Sequence, residues 1–253
     1  MSLFGVSGRV ALVTGGSSGI GLAMVTALAE AGADIVLVAR RRAELEAAAA
    51  RLRVDSGRRV GVVEADLLRE NAASEVFEAA CALSAAPDIL VNAAGVNLRQ
   101  PILAVDRSAW EQQITLHLTV PFFLAQACAP AMIERGWGRI INIASLQSSR
   151  AFPDSAPYGA GKGGIVQLTR AMAEAWSRYG ICVNAIAPGF FPTALTAPVF
   201  DDQARAQANA RQTMIGRNGL LSDLTGPTVF LASPASGYVT GQTLYVDGGF
   251  SAR

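Results

Sequence analysis

Short, unbroken apolar runs alternate with longer helical patterns for almost the whole length of this chain, and that alternation restricts its fold most. The runs lie at 9–14, 34–39, 60–64, 89–92, 139–144, 183–187 and 243–246. Their apolar residues are consecutive rather than on every second position, as expected where both faces of a parallel sheet are covered. Between them, helical patterns occupy 19–31, 43–54, 70–84, 107–135, 157–179 and 221–232. A strand, a helix and a parallel strand connect by a right-handed crossover. The expected fold is therefore α/β, a doubly wound parallel sheet of about seven strands with helices on both faces. No linker, repeat or low-complexity tract divides it, so 1–253 is expected to form one domain. Residues 190–219 break the rhythm, with Pro192, Pro198, Asp201, Asp202 and Gly216 and no strand pattern. So long a connection in a compact domain is usually functional, and this one is a candidate substrate lid.

Composition removes several function classes. With 51% hydrophobic and 16% charged residues in 253, the chain can bury a large core, which excludes disorder as its main state. The balance of 21 basic and 20 acidic residues supplies no bulk charge for nucleic acid or an anionic membrane, so neither is expected as a partner. The start, Met1 to Gly8, has no basic and apolar pattern of a targeting segment. The longest apolar stretch, 118–133, contains Thr119, Pro121, Gln126 and Pro130 and is expected to fall short of a membrane span. Cys81, Cys128 and Cys182 are odd in number and lack metal-ligand spacing. They read as buried reduced thiols of a soluble, cytoplasmic protein with no metal site.

The first apolar run passes into Thr14-Gly15-Gly16-Ser17-Ser18-Gly19-Ile20-Gly21 and then a helix. Glycines at such a junction permit a tight turn and let the backbone approach a pyrophosphate at the helix N-terminus. This Thr-Gly-x-x-x-Gly-x-Gly form resembles the short-chain dehydrogenase/reductase family, whose members have a single-domain Rossmann-type fold. Further motifs follow in that family's order: Asp66-Leu67 as an adenine contact, Asn92-Ala93-Ala94-Gly95 at a strand end, and Ser145 after a strand. Then come Tyr158-Gly-Ala-Gly-Lys162, Pro188-Gly189 with Phe191 and Thr193 at the nicotinamide, and Gly241 to Gly249 around the last strand. The resemblance implies a dinucleotide held by Gly15, Ser17, Ser18, Gly19, Ile20, Gly21, Asp66, Leu67, Asn92, Ala93, Gly95, Tyr158, Lys162, Pro188, Gly189, Phe191 and Thr193. The second strand ends Val38-Ala39-Arg40-Arg41. Ala39 stands where NAD-preferring relatives usually carry Asp, while Arg40, with Arg41 beside it, suits a 2′-phosphate. NADP(H) is expected over NAD(H), although Ser18 stands where many NADP-preferring relatives have a basic residue.

Tyr158 and Lys162 are four apart on a helix and share a face. By resemblance, Tyr158 is the acid in ketone reduction and the base in alcohol oxidation, Lys162 supports it, and Ser145 hydrogen-bonds the substrate oxygen. An adjacent ammonium is expected to lower the tyrosine pKa. One position departs from the family. His117, the only histidine, stands in Leu116-His117-Leu118 where relatives usually carry a supporting Asn. It is either a substitute in the proton relay or a core histidine; in the first role, an ordinary pKa near 6.5 would add pH dependence around neutrality. Gln147, Arg150, Phe152, Phe190 and Phe191 are expected to line the substrate pocket. The C-terminal half is similar to bacterial gluconate 5-dehydrogenases and to 3-oxoacyl-thioester reductases. A secondary alcohol/ketone pair on a small polyol or sugar acid is the first reading and a thioester substrate the second. A non-catalytic dinucleotide-binding regulator is the alternative of another class, although such relatives typically lose the tyrosine or lysine. The family also implies a homotetramer through the 107–135 and 157–179 helices and the last strand.

Overall fold

The structure, a computed structural model, describes residues 2–253. The strands are β1 (Val10–Thr14), β2 (Asp34–Ala39), β3 (Val60–Glu64), β4 (Ile89–Asn92), β5 (Gly138–Ile143), β6 (Ile181–Pro188) and β7 (Thr243–Val246). They form one sheet in the order β3-β2-β1-β4-β5-β6-β7, every pair parallel. All residues of β1, β4 and β6 are buried, which is why their sequences read as unbroken apolar runs.

Helices cover both faces. α1 (Gly19–Glu30), α2 (Arg42–Ser56) and α9 (Thr225–Ala232) pack Met24, Leu28, Leu45 and Leu231 on one side. α3 (Ala72–Leu83), α4 (Arg107–Ile114), α5 (Val120–Arg135) and α6 (Ala156–Trp176) lie on the other, where Val76, Leu124, Cys128, Met132 and Met172 share a core. From β1 the chain first winds towards β3 and then crosses to β4 on the other side. This reversal opens a crevice beyond the C-terminal ends of β1 and β4, where an open α/β sheet binds ligands.

Three expectations change. The 107–135 pattern is continuous, but Thr115–Thr119 is a π turn joining α4 to α5. With the flanking residues added to 118–133, this 29-residue helix is long and apolar enough to cross a membrane by length and hydropathy alone. Its apolar side is occupied within the fold, with Leu124, Cys128 and Met132 fully buried. The 190–219 connection contains α7 (Ala197–Phe200) and α8 (Gln203–Gln212), neither of which was foreseen. Cys128 and Cys182 are buried and Cys81 is half-buried; all carry free thiols.

At the N-terminal edge of the sheet, Asp88 is buried and accepts bonds from Val10 N–H (3.0 Å), Arg9 and Arg135 (both 3.1 Å). These ties join the starts of β1 and β4 to the end of α5.

Candidate active site

The turn between β1 and α1 is built for close approach. A Cβ on Gly21 would lie 2.1 Å from the Gly15 carbonyl oxygen, and one on Gly15 would lie 2.9 Å from the Ala94 backbone. Any side chain would fill this cradle, which is open to the first N–H groups of α1; Ser18, at the N-cap, leaves them without a side-chain acceptor. Two cavities meet there. One, about 210 Å³, is lined by Ser17, Ala39, Arg40, Arg41, Asp66 and Leu67. The other, about 470 Å³, runs from Gly15, Ser18, Ile20 and Gly21 past Ala93 and Gly95 to Ser145, Tyr158 and Lys162, with Pro188, Gly189, Phe191 and Thr193 opposite. Gly15, Ser18 and Arg41 line both. The residues lining the two adjoining cavities therefore fit a dinucleotide. Asn92 lies behind the wall: it is buried and its side-chain amide donates to Asn142 Oδ1 at 2.9 Å. It fixes the strand end rather than facing the cavity.

The reacting groups are held from two elements. Ser145 follows β5, its Oγ accepts the Gln147 N–H (3.1 Å), and its own N–H donates to Ser148 Oγ (3.2 Å). The Ser148 hydroxyl donates in turn to the Lys162 carbonyl at 2.6 Å, which fixes Ser145 relative to α6. On α6, Tyr158 and Lys162 are one turn apart, with Nζ 5.7 Å from the phenol ring centre. Lys162 is buried and donates to the Ile143 carbonyl. Burial pushes its ammonium down to about 7. Burial also raises the Tyr158 phenol, opposed by its hydrogen bond with Ser145 and by the charge of Arg99. The expected net lowering of the phenol is not found: the direction is upward, with desolvation the largest cause and the opposing charge that of Arg99.

His117 sits in the π turn, its ring edge-to-face against Tyr158 at 5.1 Å between centres. Its Nε2 donates to the Val96 carbonyl at 2.7 Å. A carbonyl only accepts, so neutral His117 carries its proton on Nε2 and leaves Nδ1 as an acceptor. Nδ1 is buried and has no protein partner. Burial and the Lys162 charge push the imidazole down to about 3, against the pull of the Val96 bond. The neutral-range titration expected of His117 in a relay role is therefore opposed by its burial and by the Lys162 charge, which favour the neutral ring. A Cβ on Gly161 would meet His117 Cβ at 2.9 Å, so that glycine lets α6 approach the π turn.

Gln147, Phe152, Phe190 and Phe191 line the larger cavity as expected, but Arg150 does not. Its guanidinium turns away to donate to the Phe250 carbonyl at 3.1 Å, 5.2 Å from that ring's centre. Sequence reasoning missed Arg99, an exposed residue on the coil after β4. Arg99 lines the cavity and its charge reaches Tyr158. No ion pair engages it among the described residues. Its only sequence signal was its place four residues beyond the Asn-Ala-Ala-Gly motif.

Together these groups can donate a proton to a carbonyl oxygen beside a cofactor cradle. Residues 15–251 match the family model described as enoyl-(acyl carrier protein) reductase. The gluconate 5-dehydrogenase of Gluconobacter oxydans is 39% identical over 98% of this chain and 97% of its own length. The 2-dehydro-3-deoxy-D-gluconate 5-dehydrogenase of Escherichia coli is 40% identical over 100% and 99%. The crystal structure of a gluconate 5-dehydrogenase from Burkholderia cenocepacia, in complex with NADP and tartrate, superposes with a TM-score of 0.94 at 41% identity over 99% and 98% of the two chains. Motifs, sheet order, site geometry and relatives agree: the chain belongs to the short-chain dehydrogenase/reductase family, enzymes that act on CH–OH groups.

Proposed function

We propose that this protein interconverts a secondary alcohol and a ketone on a small polyhydroxylated acid of the gluconate type, using NADP(H). The observation that carries the reading is one cavity that joins Ser145, Tyr158 and Lys162 to the glycine cradle and has an unpaired guanidinium, Arg99, on its wall. A nicotinamide, when bound, supplies or accepts the hydride, and its oxidised form adds a positive charge that favours the phenolate. Tyr158 gives its proton to the substrate oxygen in reduction and takes it back in oxidation. Ser145 holds that oxygen and stabilises developing negative charge. Lys162 orients the cofactor ribose, and His117 offers Nδ1 as a fixed acceptor for the proton path behind it. Arg99 receives the substrate carboxylate through its planar fork. The names of the gluconate-type relatives, and the hydroxy acid tartrate in the B. cenocepacia complex, support that assignment.

Turnover of D-gluconate with NADP+, set beside a neutral polyol and an acetoacetyl thioester, tests the reading. Tyr158→Phe removes the proton donor and lowers kcat by about a hundredfold or more. Arg99→Gln raises the gluconate KM by roughly tenfold while leaving the neutral polyol's KM unchanged, because only a charged partner is lost. A tenfold preference for the thioester overturns the sugar-acid assignment, and full activity in Tyr158→Phe overturns the mechanism.

Arg40 supports a preference for NADP(H): it lines the smaller cavity, where Ala39 brings no carboxylate, while Arg41 is engaged by Glu44 at 2.6 Å. A kcat/KM with NADH ten times that with NADPH contradicts it. A homotetramer is supported by exposed apolar side chains on the expected contact elements, Trp110 on α4, Phe123 on α5 and Leu244 on β7. A single 26.3 kDa species in light scattering contradicts that state. Three free thiols suit the reducing cytoplasm.

A further inference from the structure

A second cleft, about 390 Å³, lies between the loop after Ser145, the end of α8 and the C-terminal tail, lined by Arg150, Arg211, Arg253, Ala208, Gln212 and Phe250. It contains three guanidinium groups and no acidic side chain. The ion pairs of the described residues reach none of the three, although they engage Arg41, Arg42, Arg51, Arg59, Arg69, Arg107 and Arg217 on the surface. Asp247, the acid of the adjoining tail, is committed elsewhere: its carboxylate accepts the N–H groups of Gly249 (2.9 Å) and Ser251 (2.8 Å).

Two of these cations are anchored. Arg150 is fixed to the Phe250 carbonyl and lies over the Phe250 ring. Arg253 donates to the Arg211 carbonyl at 3.1 Å, covering the carbonyl end of α8, which by itself would repel an anion. The cluster is therefore a set of planar, permanently charged forks on an exposed surface, whose mutual repulsion a bound anion would relieve further than solvent does. It also borders the reaction chamber. Phe250, its floor, packs against Phe152 (6.5 Å) and Phe190 (5.7 Å), and both of those line the larger cavity.

We propose that this cleft is an anion site, taking a small multivalent anion such as phosphate or a tricarboxylate, which ties α8 to the tail and holds the lid over the cavity. Bidentate guanidinium recognition suits the oxygens of both ligand types. A ligand that binds only the folded arrangement stabilises it by RT ln(1 + [L]/Kd), so the effect grows with the logarithm of ligand concentration once the site is filled. The site is separate from Arg99 and does not depend on the identity of the substrate.

The test is thermal unfolding of the protein in saturating NADP+, titrated with sodium phosphate or with citrate against sodium chloride at matched ionic strength. A rise in Tm that grows with the logarithm of phosphate or citrate concentration is expected in the wild type and in Arg99→Gln, and its loss in the Arg211→Gln/Arg253→Gln double variant. Tryptic cleavage after Arg205, within α8, should slow at least fivefold with phosphate in the wild type and in Arg99→Gln, but not in the double variant. An equal Tm rise in the double variant, or one that tracks ionic strength alone, overturns the proposal. Loss of the rise in Arg99→Gln moves the anion to the reaction cavity and overturns it as well. All the altered side chains are exposed, so the variants are expected to fold, and an unshifted baseline Tm checks that.

Discussion

Lys162 is the only lysine among 21 basic residues, and His117 is the only histidine; both stand in the same cavity. Arginine serves wherever a permanent charge is enough, but guanidinium cannot be deprotonated in a protein, whereas a buried ammonium can. With a folded pKa of about 7 against an ordinary 10.5, Lys162 binds its proton more weakly in the native chain than in the unfolded one. The resulting destabilisation is complete below pH 7, declines from pH 7 to 10.5 and is absent above. Lys162→Met, free of cofactor, is therefore expected to melt higher than the wild type at pH 7, with the gap closing towards pH 10. Scanning fluorimetry across that range checks it, and a constant gap refutes the desolvation argument. His117 makes a different case, because its ring is neutral throughout. His117→Asn loses the bond to the Val96 carbonyl, which its shorter side chain does not reach, but keeps an oxygen in the region of Nδ1, so at least a tenth of wild-type turnover should remain. The pH–rate profile between 6 and 8 should not change shape. Near-total loss of turnover with an unchanged Tm would mean that the imidazole has a role asparagine cannot fill.

At the scale of elements, what the sequence made legible follows from what each element buries. β1, β4 and β6 are covered on both faces, so their apolar runs marked them to within a residue or two. The phosphate turn was legible because its backbone tolerates nothing larger than glycine at residues such as Gly21. The π turn was not, because Thr-Leu-His-Leu-Thr continues the helical pattern; its widening arises where the turn meets Tyr158 and Gly161 across the fold. Arg99 was hidden because a coil residue carries no periodicity. α8 was hidden because none of its ten residues is buried and it has no apolar face to reveal. It is held instead by polar contacts: Asp202 caps its start, accepting the Arg205 N–H at 3.0 Å, and the Asn218 side chain donates to the Ala206 carbonyl within it at 2.9 Å. Asp202→Ala should cost this helix about 1 kcal/mol, as for other lost caps, and raise amide exchange across 203–212 by roughly fivefold. The global Tm should stay within about 2 °C, since no core contact changes. A large fall in Tm would show that the 190–219 connection is part of the main cooperative unit.

For the whole molecule, the sheet divides its tasks between two edges. The C-terminal ends of β1, β4, β5 and β6 carry the glycine cradle, Ser145 and the turn at Pro188, all meeting one cavity. The opposite edge carries Asp88 and its two arginines, with Arg9 stacked 3.8 Å from the Trp137 ring centre and Arg139 4.6 Å from it. If strand ends act separately, a lesion at the lower edge should change stability and leave chemistry intact. Asp88→Ala removes a buried carboxylate that accepts from two guanidinium groups and the Val10 N–H. Arg9 and Arg135 are each about one-third exposed and regain water when it goes, so the loss falls below that of a fully buried pair, at about 2–3 kcal/mol. For a chain of this length that corresponds to a Tm lower by roughly 5–10 °C. At 25 °C the folded fraction still dominates, and kcat should remain within about twofold of wild type. Measuring both on one preparation separates the alternatives. A fall in kcat at 25 °C, with unfolding still far above that temperature, would mean that the central strands transmit the register of β1 and β4 to the reacting groups. The two edges would then be one mechanical unit.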